Sequence, residues 1–184
     1  MPKAILLIAS AIVAVMLLFL YPTYQAYEQH DRIAFQVAHK AVTEFVDAVR
    51  SKGYITPSMY EDFMEALDTS GNLYDVQMQH DRKRYNPIYT DPADSGSFTG
   101  QFEVYYDSVF TEDIMKVLFP DNSLPKDDPS RIYRLKVMDY FSVTVKNTNT
   151  TKATLVREML NGFVSGDTTR IFITYGGMVL NEDY

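Results

Sequence analysis

The chain contains no cysteine and no tryptophan, and only three of its 184 residues are histidine. Without cysteine it has no disulfide bridges or thiolate metal sites, so a folded domain must be stabilised by its hydrophobic core. The histidines, His30, His39 and His80, form neither an HExxH motif nor a closely spaced pair suited to zinc. The GxSxG motif of serine hydrolases and a glycine-rich phosphate loop are also missing. We therefore predict no catalytic, cofactor-binding or metal-binding residue, and we do not expect an enzyme.

Basic residues are also scarce, because 17 lysines and arginines stand against 24 aspartates and glutamates, giving a net charge of −7. A nucleic-acid-binding protein needs a basic face to neutralise phosphates, so nucleic acid is excluded as a partner. The loop carboxylates are Asp91, Asp94, Asp121, Asp127 and Asp128. Their spacing matches no EF-hand, which favours solvated loops over calcium binding. A pair of hydrolytic carboxylates would leave no linear signature.

What the chain does have is a hydrophobic segment at its start. Ala4 to Tyr21 is free of charged residues and long enough to cross the hydrocarbon layer of a membrane. Tyrosines follow it at positions 21, 24 and 27, where a signal peptidase would need small residues. The segment is therefore predicted to stay attached, with these tyrosines at the lipid–water interface.

We expect residues 1–27 to form this anchor and its interface, and residues 28–184 to form one folded domain. The N-terminal tail is three residues long, and the domain is acidic and free of cysteine. These features favour a single-pass topology with the N-terminus in the cytoplasm and the domain outside the cell membrane. Membrane lipid is the first predicted partner.

Past the anchor, apolar residues recur every three or four positions at Ala38, Val42, Phe45 and Val49, which predicts an amphipathic helix. Gly53 is a typical C-terminal stop, and the helix is expected to continue the anchor. Thr56 and Pro57 then predict the start of a second helix.

Further along, alternation predicts strands from Tyr74 and from Phe102, and a long strand over Arg131 to Lys146 in which Asp139 breaks the parity. Short helices are predicted at 111–119 and 153–160, loops at 85–100 and 120–130, and a final hairpin turning at Gly176 and Gly177. This order predicts an α+β fold, with the long N-terminal helix packed on a small antiparallel sheet accompanied by short helices.

The segment FVDAVRSKGYITPSMYEDFMEAL, residues 45–67, resembles the helix–turn–helix of TadE-like, pilin-like (pseudopilin) membrane proteins from Gram-positive tight-adherence pilus clusters. That resemblance implies a structural component of a surface appendage or secretion apparatus, which meets itself or other small anchored pilin-like subunits through the N-terminal helix. The apolar helix lacks the glutamate near its fifth residue that type IV pilins carry. We therefore expect a permanently anchored pilus-assembly component rather than a major filament subunit.

Two alternatives stay open: a membrane-tethered extracellular hydrolase acting through loop carboxylates, and a ligand-binding or sensing module. Carboxylates gathered at the floor of one deep pocket would favour the hydrolase. Two residue sets are candidates for contact with a partner. The small residues of the anchor are Ala4, Ala9, Ser10, Ala11 and Ala14, and the tyrosines expected at the surface are Tyr85, Tyr89, Tyr105 and Tyr106.

Overall fold

One continuous helix, α1 (Pro2–Lys52), contains both the hydrophobic and the amphipathic segment. The computed structural model describes residues 2–162 and 171–184. The helix has 51 residues and passes through Pro22, which corresponds to a length of about 75 Å. It ends as predicted at Gly53, where φ is +76° and the amide donates to the Val49 carbonyl at 2.7 Å.

Two short elements follow α1. Strand β1 (Tyr54–Ile55) leads into helix α2 (Pro57–Asp68). The start of α2 is confirmed, because the Thr56 hydroxyl accepts a hydrogen bond from the Met59 amide and Pro57 occupies the first turn. The ring of Phe63 on α2 stacks on Phe45 of α1 at 4.4 Å, which joins the two helices.

The remaining elements are β2 (Tyr74–Tyr89), β3 (Phe98–Phe110), α3 (Thr111–Leu118), β4 (Tyr133–Arg134), β5 (Tyr140–Asn147), α4 (Lys152–Asn161) and β6 (Phe172–Met178). Four strands form an antiparallel sheet in the order β3-β2-β5-β6, and β1 pairs with β4 in a second, two-stranded sheet. The predicted α+β class, with a long helix packed on antiparallel strands, is confirmed.

The core lies between α1 and one face of the large sheet. All four residues of the predicted helical stripe are buried, and Phe45 meets Phe141 of β5 edge to face at 6.2 Å. Met78, Val143 and Val145 contribute from the sheet. Ile114 and Leu118 of α3 belong to the same core. The domain is therefore assembled directly on the helix that carries the hydrophobic segment.

The predicted loop at 85–100 is wrong. Strand β2 continues to Tyr89 and β3 begins at Phe98, so only residues 90–97 connect them. The proline, glycine and aspartate content of this stretch resembles a loop, but the cross-strand ladder from Arg82–Asp107 to Pro87–Phe102 keeps the backbone extended.

The predicted long strand over 131–146 is also wrong, because the chain turns between β4 and β5. Met138 adopts a φ of +72°, and Asp139 accepts a hydrogen bond from the Lys136 amide at 3.0 Å. The parity break at Asp139 marks this turn.

The predicted terminal hairpin is wrong as well, since β6 runs straight through both glycines. A Cβ on Gly176 would lie 2.5 Å from Cβ of Ser142, and one on Gly177 would lie 2.6 Å from Cζ of Arg50. Glycine is required at position 176 for close approach to the backbone of β5, not for a turn, whereas the neighbour of Gly177 is the flexible end of the Arg50 side chain.

Candidate interaction surfaces

The first candidate surface is the exposed side of α1. The helix is long and apolar enough to be a candidate membrane span, and none of its most apolar window is buried. At about 100° per residue, Ala4, Ala11 and Ala14 share one side, about 155° away from the stripe that packs on the sheet, whereas Ser10 lies only about 70° from that stripe. Ala9 falls on the same side as that stripe. The small-residue side of the span is therefore directed away from the domain.

This side continues below the hydrophobic segment. Gln25, Gln29, Arg32 and Gln36 lie on the same side of the helix by the same angular argument, and all four are exposed. The domain is attached to the opposite side, where Asp31 accepts a hydrogen bond from the Thr151 hydroxyl at 2.7 Å. From Ala4 to Gln36, α1 therefore presents one side that no described part of the domain covers.

The second candidate surface is a two-stranded ribbon, residues 82–107, which we call the arm. Pairing of β2 with β5 ends at Asp81–Tyr140, whereas pairing of β2 with β3 continues to Tyr89–Phe98. Tyr140, which pairs with Asp81 just before the arm, pairs on its other side with Met178. The Met178 carbonyl accepts a hydrogen bond from Arg50, near the end of α1. The end of α1 therefore lies beside the start of the arm. The arm therefore extends beyond the end of α1, away from the hydrophobic segment.

Aromatic residues occupy one face of the arm. Phe141 is buried against α1 and lies opposite His80, so the side chain of His80 is on the face of the sheet that packs on α1. Side chains alternate between the two faces along a strand, so the odd-numbered residues Lys83 and Tyr85 lie on the opposite, outer face. Tyr106 and Val104 are paired with them on β3. The outer face of the arm comprises Lys83, Tyr85, Pro87, Phe102, Val104 and Tyr106, and continues at the tip into Phe98 and Tyr89.

The four predicted surface tyrosines are all exposed, and all lie on the arm. Tyr85 is 57% and Tyr106 is 56% exposed on the outer face, where Tyr89 lies at the tip against Phe98. Tyr105 is opposite Arg84 and therefore lies on the inner face. Their common location was not predicted, because it depends on pairing between two strands.

A buried polar network fixes the root of the arm. The imidazole of His80 contacts the Tyr133 hydroxyl through Nδ1 at 2.8 Å and the Asp139 carboxylate through Nε2 at 2.9 Å. The second oxygen of Asp139 accepts from the backbone amide of Lys83, the second residue of the arm, at 2.9 Å. Arg82 donates to the Tyr133 hydroxyl at 3.3 Å. These bonds hold β2 against the turn before β5.

The network is arranged around a neutral imidazole. Burial lowers the pKa of His80, and this effect outweighs the hydrogen bond that the ring donates to Asp139, which raises the pKa. A neutral ring that donates from Nε2 to Asp139 accepts at Nδ1 from the Tyr133 hydroxyl, so both ring nitrogens are satisfied. His80 is only 1% exposed and Asp139 only 4% exposed, so this trio has no surface on which a substrate would bind. Its role in the described structure is positional.

The other predicted site candidates stay apart. His30 and His39 are exposed on α1. Asp91 and Asp94 accept hydrogen bonds from the backbone within the tip of the arm. Asp128 caps the short 3-10 turn at Pro129–Arg131, and its hydrogen bonds with Ser130 lower its pKa. Within residues 2–162 and 171–184, no group of three or more histidine, aspartate or glutamate side chains is placed to hold a metal ion.

The loop at 120–130 is fastened by a buried cation. Arg131 is 7% exposed and donates to the side chain of Asn122 at 3.0 Å and to the Leu124 carbonyl at 2.7 Å. The acidic residues Asp121 and Asp127 are exposed around it. Hydrogen bonds from Arg131 therefore hold the loop in one conformation, in addition to the solvation of its acidic residues that its composition predicts.

The carboxylates expected of a hydrolase are not gathered in these loops. A shallow groove on the outer face of the sheet is lined by Glu112 and Asp113, but both are exposed, and Asp113 pairs with Lys116 at 2.7 Å. A comparison of the chain with protein-family models, curated proteins and solved structures finds no match.

Proposed function

We propose that this protein is a membrane-anchored, pilin-like structural component of a surface appendage or secretion apparatus in a Gram-positive bacterium. In this role the span of α1 associates with a second copy or with other small anchored subunits. The observation that carries the proposal is the uncovered side of α1, which runs from the span into the domain without interruption.

Physical chemistry supports association at this side. Small residues let two helices approach closely in lipid, where van der Waals packing drives association. Ala4, Ala11 and Ala14 are on the uncovered side, and Ser10 lies between that side and the buried stripe. The Ser10 hydroxyl donates to the Leu7 carbonyl at 2.9 Å, so its polarity is satisfied within the helix.

The rigid connection between span and domain also supports an assembly role. A tether needs only a flexible link, but here Ala34 and Ala38 are buried in the domain core on the helix that also forms the hydrophobic segment. Packing two spans together therefore fixes the relative orientation of two domains. An assembled structure requires such fixed geometry.

Cross-linking within the membrane tests this proposal. Full-length protein with Ala14→Cys should form disulfide-linked dimers in the membrane, and the native chain contributes no competing thiol. Ala11→Leu should reduce these dimers several-fold, because the larger side chain separates the helices. Ala9→Leu is the matched control, since it makes the same change on the other side of the span and should leave cross-linking unchanged.

Equal sensitivity to both leucine substitutions, or no dimer at all, would refute assembly through the small-residue side.

The topology is tested separately by adding protease to intact cells. We expect the domain beyond Tyr27 to be digested while the span remains in the membrane. Protection in intact cells, with digestion only after lysis, would reverse the orientation.

A further inference from the structure

The arm has an unpaired edge. Strand β3 is the first strand of the sheet order, and within residues 2–162 and 171–184 no strand lies on its other side. Twelve of its 13 residues are exposed. It contains neither lysine nor proline, two residues with which natural proteins commonly protect an edge strand, and its irregularity at Gly100 is confined to the end near the tip.

The arm also lacks the support that a β-ribbon needs. Two antiparallel strands alone are marginally stable in water, and a third strand or a packed face is required for independent stability. Beyond Asp81 the arm has neither β5 beside it nor α1 beneath it. A strand added at β3 would supply what is missing.

We propose that the occupant of this edge is β3 of a second copy, paired antiparallel about Val104. This register aligns Phe102 to Tyr106, which lie in the regularly paired part of β3, with themselves. On the outer face it places Phe102 opposite Tyr106 of the second copy. Cross-strand pairs between aromatic residues stabilise antiparallel sheets.

Charge selects the same register. With Val104 at the symmetry axis, Glu103 lies opposite Tyr105 and Asp107 lies opposite Gln101. Moving the axis to position 103 places Glu103 opposite Glu103 of the second copy. Moving it to position 105 places Glu103 opposite Asp107. Like charges directly opposite each other destabilise a strand pair, so both neighbouring registers are disfavoured.

The symmetry determines which copies can pair. A two-fold axis that joins identical antiparallel edges is perpendicular to the sheet, so it reverses every direction within the plane of the sheet. Helix α1 packs on the sheet and is reversed with it. Two copies joined through β3 therefore have spans pointing in opposite directions. Neighbours in one membrane cannot pair in this way, so the contact joins copies held in two separate membranes or assemblies.

This contact is independent of the proposed association of spans, which joins copies within one membrane. At 1.5 Å per helical residue and 3.3 Å per strand residue, the symmetry axis lies about 50 Å from the membrane end of the domain. The paired arms would thus hold two surfaces on the order of 100 Å apart.

Vesicle clustering with engineered charges is the test. Full-length protein is reconstituted into phosphatidylcholine vesicles with its domain outside, and clustering is followed by light scattering. Wild-type vesicles should cluster. Vesicles with Val104→Lys should not cluster among themselves, and neither should vesicles with Val104→Glu, because like charges meet at the axis. Mixing the two populations should restore clustering, because opposite charges then meet.

Cysteine substitution checks the register. Opposed Cα atoms in an antiparallel pair lie about 4.5–5.5 Å apart, which is within reach of a disulfide. Val104→Cys should therefore cross-link to itself. Tyr85→Cys is the matched control, because it is exposed on the same face but lies one strand further from the axis. Phe102→Cys should cross-link to Tyr106→Cys of another copy.

Diluting the vesicles separates this contact from the association of spans. Cross-linking at Val104 should fall with vesicle concentration, whereas cross-linking at Ala14 should persist, because the spans meet within one vesicle. Clustering of the lysine vesicles alone, or equal cross-linking at Tyr85 and Val104, would overturn pairing about Val104. Absence of clustering by the wild type would likewise overturn pairing between copies.

Discussion

Strands β2 and β3 run through both the body of the domain and the arm, yet their surroundings in the two regions differ. On β2, Met78 is 1% exposed between α1 and the neighbouring strands, whereas Tyr85, seven positions further along, is 57% exposed. On β5, Val143 and Val145 are fully buried. On β3 every residue is exposed except Val109, which is partly buried. The body is thus stabilised from within, and the arm offers its apolar residues outward.

The difference shows how one strand can serve two purposes. Between Tyr74 and Asp81, β2 is a central strand held by β5 and α1. Beyond the polar network of His80 and Asp139, it becomes one half of an exposed ribbon. Exposed contiguous apolar surface of this kind is typical of an interaction site. Stability and recognition are therefore assigned to consecutive parts of one strand.

Removing a core ring should have the largest effect. Phe45 is 5% exposed and contacts both Phe63 and Phe141, so Phe45→Ala should lower the free energy of unfolding by about 3–5 kcal/mol. Urea unfolding in detergent micelles, followed by circular dichroism because the chain lacks tryptophan, measures it. A loss below about 1 kcal/mol would show that α1 is not part of the core.

The pH dependence of stability should show an intermediate effect. Because burial lowers the pKa of His80 below its ordinary value of 6.5, the unfolded chain binds a proton at a higher pH than the folded chain. The stability present above pH 6.5 is therefore lost as the pH falls towards the lower folded pKa. Titration of this one residue changes the free energy of unfolding by at most about 1.4 kcal/mol per pH unit.

Urea unfolding at several pH values should reveal this slope, and His80→Gln should reduce it. His39→Gln, which removes an exposed imidazole from α1, should keep the wild-type slope. Titration of the His80 imidazole by NMR gives a second readout where the His80 variant folds poorly. A folded-state pKa above 6.5 would contradict the neutral network.

The smallest effect is expected on the arm. Phe102 is 56% exposed, so Phe102→Ala should change the stability of the monomeric protein by no more than about 0.5 kcal/mol. It is the counterpart of Phe45→Ala, since the same ring is removed from the other region. A loss comparable with that of the core variant would show that the arm packs on the body, and the distinction between the regions would fail.

The parts of the fold that sequence predicts are those whose signals are local. The hydrophobic segment, the amphipathic stripe, the stop at Gly53 and the cap at Thr56 each depend on residues within a few positions of one another. Their physical causes, periodic burial and satisfaction of terminal backbone groups, act within a single helix. Each is therefore readable without knowledge of the rest of the chain.

The parts that sequence missed depend on distant residues. The arm resembles a loop by composition and becomes a ribbon only because residues 82–87 meet residues 102–107. The network joins His80 to Tyr133 and Asp139 across 53 and 59 positions. Gly176 resembles a turn residue by its type, but its position in β6 depends on the close approach of Ser142 from the neighbouring strand. One local signal, the broken parity at Asp139, was available and marked the turn before β5.

Because α1 is one continuous helix, the direction in which the arm extends relative to the hydrophobic segment depends on the number of helical residues between them. Each residue of a helix advances the next by about 100° and 1.5 Å. One alanine inserted after Gln29 would turn the domain by that angle about the span while leaving both halves of the helix intact. Three or four inserted residues would complete about one turn and restore the original heading, displaced by about 5 Å. The number of residues between the hydrophobic segment and Ala34 thus sets the direction, around the axis of α1, in which the arm extends from that segment.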